Sequence, residues 1–157
     1  MSKKILDACC GSRMFWFDKN NPNVIFADNR ELETELCDGR KLVIKPDEKI
    51  DFRDMPYPDN SFKLVVFDPP HLIHAGERSW LRAKYGVLHD DWKTYINQGM
   101  NECMRVLESD GILIFKKNRQ EFSVTCCRDE LAMKRMLHNF FSKMAVQKLF
   151  FREFLAY

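Results

Sequence analysis

None of the six cysteines, Cys9, Cys10, Cys37, Cys103, Cys126 and Cys127, is part of a C-x-x-C pair, and no histidine lies close to them in sequence. Tetrahedral metal ligation is therefore not expected. A charged-then-apolar leader ahead of a cleavage site is also missing, so the thiols are read as reduced cysteines of a cytoplasmic chain, not as a secreted disulfide framework. No apolar run approaches the roughly 18 to 20 residues of a membrane span. The glycine fingerprint G-x-G-x-x-G of dinucleotide sites is absent as well; "DACCGS" offers only Gly11, and a nicotinamide cofactor is not inferred. Internal repeats are lacking.

What is present fits one domain, residues 1–157, with a single core: 45% of the 157 residues are hydrophobic and 13% aromatic. The net charge of +2 is unevenly spread. Residues 116–157 carry nine Lys or Arg against four Asp or Glu, a net of +5, which leaves −3 on the first 115 residues. A basic end of this kind attracts nucleic acid or an anionic substrate, or forms a solvated helix face.

Apolar runs alternate with helical patterns along the chain. "KKILDACCG" (3–11), "NVIFADNR" (23–30), "KLVVFDPPHL" (63–72) and "GILIFKK" (111–117) read as strands buried on two faces. The crossover "SRMFWFDKNNPN" has room for one helical turn or two. "RKLVIKP" (40–46) reads as a strand or an edge hairpin arm, and 49–62 as a brief strand followed by a Pro- and Asp-rich turn. Residues 71–90 show no clear period and are expected to form a lid or substrate loop. Trp92 to Leu107 has helical spacing, with Asp90 as N-cap and Gly111 at the close. An amphipathic helix (129–145) and a final strand (146–157) are expected in the tail. Strand and helix in alternation predict an α/β fold around a mainly parallel sheet.

In such sheets ligands bind beyond the carboxyl ends of the strands. Acids stand at or near four of those ends: Asp7, Asp28, Asp54 and Asp68. Each has a task if the ligand is a nucleoside bearing a sulfonium. Asp7 can hold the small-residue turn or face the positive charge, Asp28 can accept from ribose hydroxyls, and Asp54 from an adenine amino group that Met55 covers. The two prolines after Asp68 remove two amide donors. Asp68 and the Pro69 carbonyl then form an acceptor-only surface, suited to holding an amino group and to stabilising positive charge that grows on its nitrogen. His71 can stack on a planar base or amide. The plainer reading of any one acid is a helix cap or turn former.

On "ILDACCGSRMFWFDKNNPNVIFADNR", "DFRDMPYPDNSFKLVVFDPPHL" and "MNECMRVLESDGILIFK" the sequence resembles the class I S-adenosylmethionine-dependent methyltransferases, especially a compact group found in phages and prophages. The resemblance covers about residues 4–117. It implies a Rossmann-like three-layer sandwich, with Asp7, Ala8, Cys9 and Gly11 in the first cofactor motif. It places Asp28 at the ribose, Asp54 and Met55 at the adenine, and Asp68, Pro69, Pro70 and His71 at the methyl acceptor. Asp-Pro-Pro-His is similar to the (Asp/Asn)-Pro-Pro-aromatic motif of amino methyltransferases acting on adenine or cytosine; His71 stands where Tyr, Phe or Trp is usual. The basic segment 118–157 departs from that group, which continues with Trp-Asn after "FK", and its sheet strands are expected to be absent or rebuilt.

Within 71–90, Arg78, Arg82 and Lys84 interleave with Trp80 and Tyr85, a mixture that grips a phosphate backbone and stacks a base. Trp80, Arg82 and Tyr85 are therefore candidate substrate contacts; the alternative is a surface flap anchored by the two aromatics. The expectation is an S-adenosylmethionine-dependent enzyme that methylates an exocyclic amino nitrogen in DNA or RNA; with no room for a target-recognition domain, a sequence-specific DNA enzyme would need a homodimer, a specificity partner or relaxed specificity. The alternatives are a protein or small-molecule amine as acceptor, or a cofactor-binding module without activity.

Overall fold

The run Leu64 to Phe67 lies within β6 (Phe62–Phe67), whose last three residues, Val65, Val66 and Phe67, are fully buried. The computed structural model describes residues 4–88, 90–117 and 121–126, with only the backbone for 117 and 121–126. The expected tail helix and final strand lie outside the described residues.

β1 (Ile5–Asp7) pairs in parallel with both β2 (Val24–Asp28) and β6. β2 pairs in parallel with the short β5 (Glu48–Lys49), and β6 with β7 (Leu107–Lys117). Among the described residues the antiparallel β8 (Glu121–Cys126) is the sixth strand of the sheet, whose order is β5-β2-β1-β6-β7-β8. Between β2 and β5 the chain makes a separate antiparallel hairpin of β3 (Leu32–Glu35) and β4 (Lys41–Ile44). The stretch 40–46 is thus a hairpin arm. Counted along the chain without that hairpin, the order is 3-2-1-4-5-6, that of the doubly wound Rossmann-like sheet. The expected α/β fold with a mainly parallel sheet is present.

Two-residue alternation gives the sheet two faces. Leu6, Val65 and Leu113 lie in register on one of them, and all three are buried. Against that face packs α2 (Trp92–Val106), through Ile96, Gly99, Met100, Cys103 and Val106, the i, i+3, i+4 spacing of an amphipathic helix. Gly99 is required there: a Cβ on it would stand 2.5 Å from Phe52 Cδ2 and 2.7 Å from Phe67 Cζ. On the opposite face Cys10, Val24 and Phe26 form a smaller cluster with Ile5 and Trp16. The crossover from β1 to β2 contains no helix; successive turns lower Trp16 edge-on to Phe26, centroids 5.7 Å apart.

The ends of α2 differ from expectation. Its N-cap is Asp91, without a side-chain cap bond, and not Asp90. The helix stops at Val106 because Leu107, in an extended conformation (φ −76°, ψ 136°), is buried and pairs with Phe62. Gly111 consequently lies inside β7 and not at the helix end. A short helix, α1 (Trp80–Tyr85), interrupts the segment 71–90. Cys9, Cys10, Cys37 and Cys103 are free thiols. No helix among the described residues is long and apolar enough to cross a membrane.

Candidate functional site

The carboxyl ends of β1, β2 and β6 open on a cavity of about 590 Å³. Between β1 and β6 the strand order changes direction, which is where open α/β sheets bind ligands. The tight packing of the strands brings their terminal acids together: Ala8 N–H donates to the Val66 carbonyl (2.9 Å) and Cys10 N–H to the Ala27 carbonyl (2.8 Å), so the turn after β1 is pinned between its two neighbours.

Asp7 ends β1 in the cavity wall with 1% of its surface exposed. Its carboxylate accepts from Trp16 Nε1 (2.7 Å on Oδ2) and Cys9 N–H (3.3 Å on Oδ1). Burial nevertheless pushes its pKa up to about 7, against those two hydrogen bonds and with the help of the Asp68 and Asp28 charges. Burial also pushes the Cys9 and Cys10 thiols up, with neighbouring carboxylates adding to it. Neither is a thiolate at neutral pH, so neither serves as a nucleophile.

Asp28, 2% exposed, ends β2. Its Oδ2 accepts from Gly11 N–H at 2.9 Å, and its Oδ1 from Arg30 N–H at 2.9 Å. Gly11 sits at φ 51°, a left-handed turn that suits a residue without Cβ. The Arg30 side chain forks over the same carboxylate and its Nη1 reaches the Ala83 carbonyl in α1 at 3.4 Å.

After β6, Asp68, Pro69, Pro70 and His71 line the cavity. Lys116, near the end of β7, donates to Asp68 Oδ2 at 3.0 Å. The His71 ring meets Tyr85 with centroids 5.2 Å apart and a 52° tilt. α1 and the residues after it close one side through Trp80, Tyr85 and Gly86. Gly86 takes φ 73°, and a Cβ there would stand 3.1 Å from Pro70 Cγ.

The structure therefore gathers Asp7, Cys9, Gly11, Asp28 and the Asp68–His71 motif around one space, together with Trp80 and Tyr85. Ala8 is buried behind the wall, held in strand pairing. Arg82 lies on an adjoining cavity of about 460 Å³ and donates to the Ala75 carbonyl. Asp54 and Met55 do not line the main cavity. Asp54 is exposed on a turn closed by its N–H on the Asp51 carbonyl (3.0 Å). Met55 is in the core, its N–H on Glu102 and its carbonyl on Arg105. Phe52 and Tyr95 present aromatic surface to the cavity instead, edge to face at 5.2 Å. Sequence reasoning also missed Arg30 and Lys116. Arg30, two residues beyond Asp28, carries a local signal; Lys116 is placed beside Asp68 only by the pairing of β6 with β7.

No family model and no curated protein matches the sequence. Among solved structures, the chain is similar to the PH0226 protein from Pyrococcus horikoshii OT3, at 18% identity over 76% of this chain and 48% of that one, with a TM-score of 0.44. It is likewise similar to the [4+2]-cyclase SpnF, at 16% identity over 74% of this chain and 39% of the other, with a TM-score of 0.42. This chain thus spans less than half of either protein.

Proposed function

We propose that the protein is an S-adenosylmethionine-dependent methyltransferase that acts on the exocyclic amino nitrogen of a base in DNA or RNA. The observation that carries this reading is the convergence of Asp28, Asp7 and the Asp68-Pro69-Pro70 turn on one cavity at the β1/β6 crevice.

The residues present suit the cofactor. Asp28 stands where an acid at the end of the second strand accepts from ribose hydroxyls. Asp7, whose burial favours the neutral acid, gains from a cation beside it. The cavity volume of about 590 Å³ is in the range of small-molecule sites. When bound, S-adenosylmethionine supplies an electrophilic methyl group on a sulfonium.

The chain's own residues then act on the acceptor. Asp68 and the Pro69 carbonyl accept its N–H hydrogens and orient the nitrogen lone pair. His71 and Tyr85, whose rings contact each other, offer aromatic surface to a planar group. Trp80, 41% exposed, together with Arg78, Arg82 and Lys84 gives 71–90 the stacking and charge needed for a nucleic-acid strand, and the segment serves as a lid that excludes water. A duplex substrate has to present its base flipped out.

Calorimetric titration with S-adenosylmethionine is the first test: micromolar binding that Asp28→Ala abolishes is the expected result. Methyl transfer to DNA and RNA oligonucleotides, lost in Asp68→Ala with cofactor binding retained, is the second. Transfer only to a peptide or small amine would move the acceptor class. Cofactor binding without transfer to any acceptor would leave a binding module.

A further inference from the structure

Among the described residues three carboxylates line the cavity, and they differ in what balances them. Asp28 is matched by the Arg30 guanidinium. Asp7 is held by two neutral N–H donors deep in the wall. Asp68, at the acceptor motif, is matched by Lys116 at 3.0 Å, in a pair whose side chains are 31% and 28% exposed. The pairing is built into the sheet: Phe67 lies opposite Phe115, so the residues that follow, Asp68 just beyond β6 and Lys116 in β7, come side by side.

This changes what the acceptor motif can attract. An unmatched carboxylate in a partly desolvated pocket draws cations. Here a primary ammonium of the chain itself already sits on Asp68, at the hydrogen-bonding distance an alkylammonium ligand would need. A second ammonium would either have to displace Lys116 or lie beside it as a like charge in a site where screening is weak. A neutral amino group meets neither obstacle. It brings no charge, and it can donate to the Pro69 carbonyl and to Asp68 Oδ1, which receives no hydrogen bond among the described residues while Lys116 holds Oδ2.

We propose that Lys116 is a specificity-determining residue of the acceptor site: by holding Asp68 as an ion pair it admits a neutral, conjugated amino group such as that of a nucleobase and excludes aliphatic ammonium groups. The proposal rests on the methyltransferase reading for the role of the site, but the charge selection it describes is a property of the Asp68–Lys116 pair and can be read without turnover.

The test is ligand-observed NMR titration of the full chain with 1-methylcytosine and 9-methyladenine, which carry no ribose to occupy Asp28, and with n-butylamine, an ammonium at neutral pH. Wild type, Lys116→Met and Lys116→Arg are compared. At least one base is expected to bind wild type ten-fold or more tightly than n-butylammonium. Lys116→Met should raise the affinity for n-butylammonium ten-fold or more without a matching gain for the bases, and Lys116→Arg, which keeps the charge, should retain the wild-type preference. Equal binding of both classes to wild type, an unchanged preference in Lys116→Met, or binding of neither class to any of the three proteins overturns the proposal. Calorimetry with S-adenosylmethionine on the same samples separates the two claims: loss of cofactor binding with charge selection intact removes the methyltransferase reading alone.

Discussion

Arg30 holds both oxygens of Asp28 from two residues away, with Nε 3.1 Å from Oδ1 and Nη2 3.3 Å from Oδ2. Its third nitrogen points to the Ala83 carbonyl, so one guanidinium ties the end of β2 to the helix beside the cavity. Arg30→Ala leaves a buried carboxylate with only backbone donors. A loss of about 1.5–3 kcal/mol is expected in urea unfolding, the range for hydrogen bonds to charged groups. The same variant should bind adenosine more tightly than wild type, because ribose hydroxyls no longer compete with the guanidinium; a titration with adenosine checks it.

Asp7 should make stability fall as pH rises. The unfolded chain releases this proton near the ordinary value of 3.8, the folded chain near 7, so between those values the folded state binds the extra proton. Its contribution to stability is largest below pH 4, declines up to pH 7 and is constant above, a difference of about 4 kcal/mol for three pKa units. Asp7→Asn should remove this slope; urea unfolding of both proteins at pH 5 and pH 7 checks it.

A cation bound beside Asp7 favours its ionised form. The affinity for S-adenosylmethionine should therefore rise more from pH 6 to pH 8 in wild type than in Asp7→Asn, as calorimetry at several pH values would show.

Gly99→Ala should destabilise the fold although alanine is the better helix former. The added Cβ would meet the Phe52 and Phe67 rings at 2.5 to 2.7 Å, so α2 must move off the sheet. Overpacking of this kind is expected to cost about 1–3 kcal/mol, measured by the midpoint of urea unfolding.

Arg105, in the last turn of α2, donates to the Met55 and Tyr57 carbonyls and forks onto Glu102. It holds the Glu102 carboxyl below the usual range and anchors the turn after β5 to the helix. Arg105→Ala should lower stability by about 1–3 kcal/mol. Arg105→Lys should recover only part of it, since an ammonium cannot serve the same fork.

The parallel strands were legible because residues buried on both sheet faces leave continuous apolar runs, as in Leu64 to Phe67. α2 was legible through its 3.6-residue period, but its end was not: Leu107 fits the helical stripe, and only the place it fills opposite Phe62 makes it a strand residue. β8 left a weak alternating signal in Phe122, Val124 and Cys126 that the surrounding polar residues masked. The acids of the site were legible at Asp7, Asp28 and Asp68 because each follows or ends an apolar run. Asp54 carries the same local signal, yet its turn faces solvent, because Glu102 and Arg105 fix Met55 inward.

The sequence by itself determined the parallel strands and α2, the acids Asp7, Asp28 and Asp68 at strand ends and the loss of two amide donors at Pro69 and Pro70, since these depend on residues near one another in the chain. Only the tertiary structure decided how Asp7 and Asp68 are balanced. Lys116 is forty-eight positions from Asp68 and Trp16 nine from Asp7, and sheet pairing and the fold of the β1–β2 turns, not local spacing, bring them into hydrogen-bonding distance.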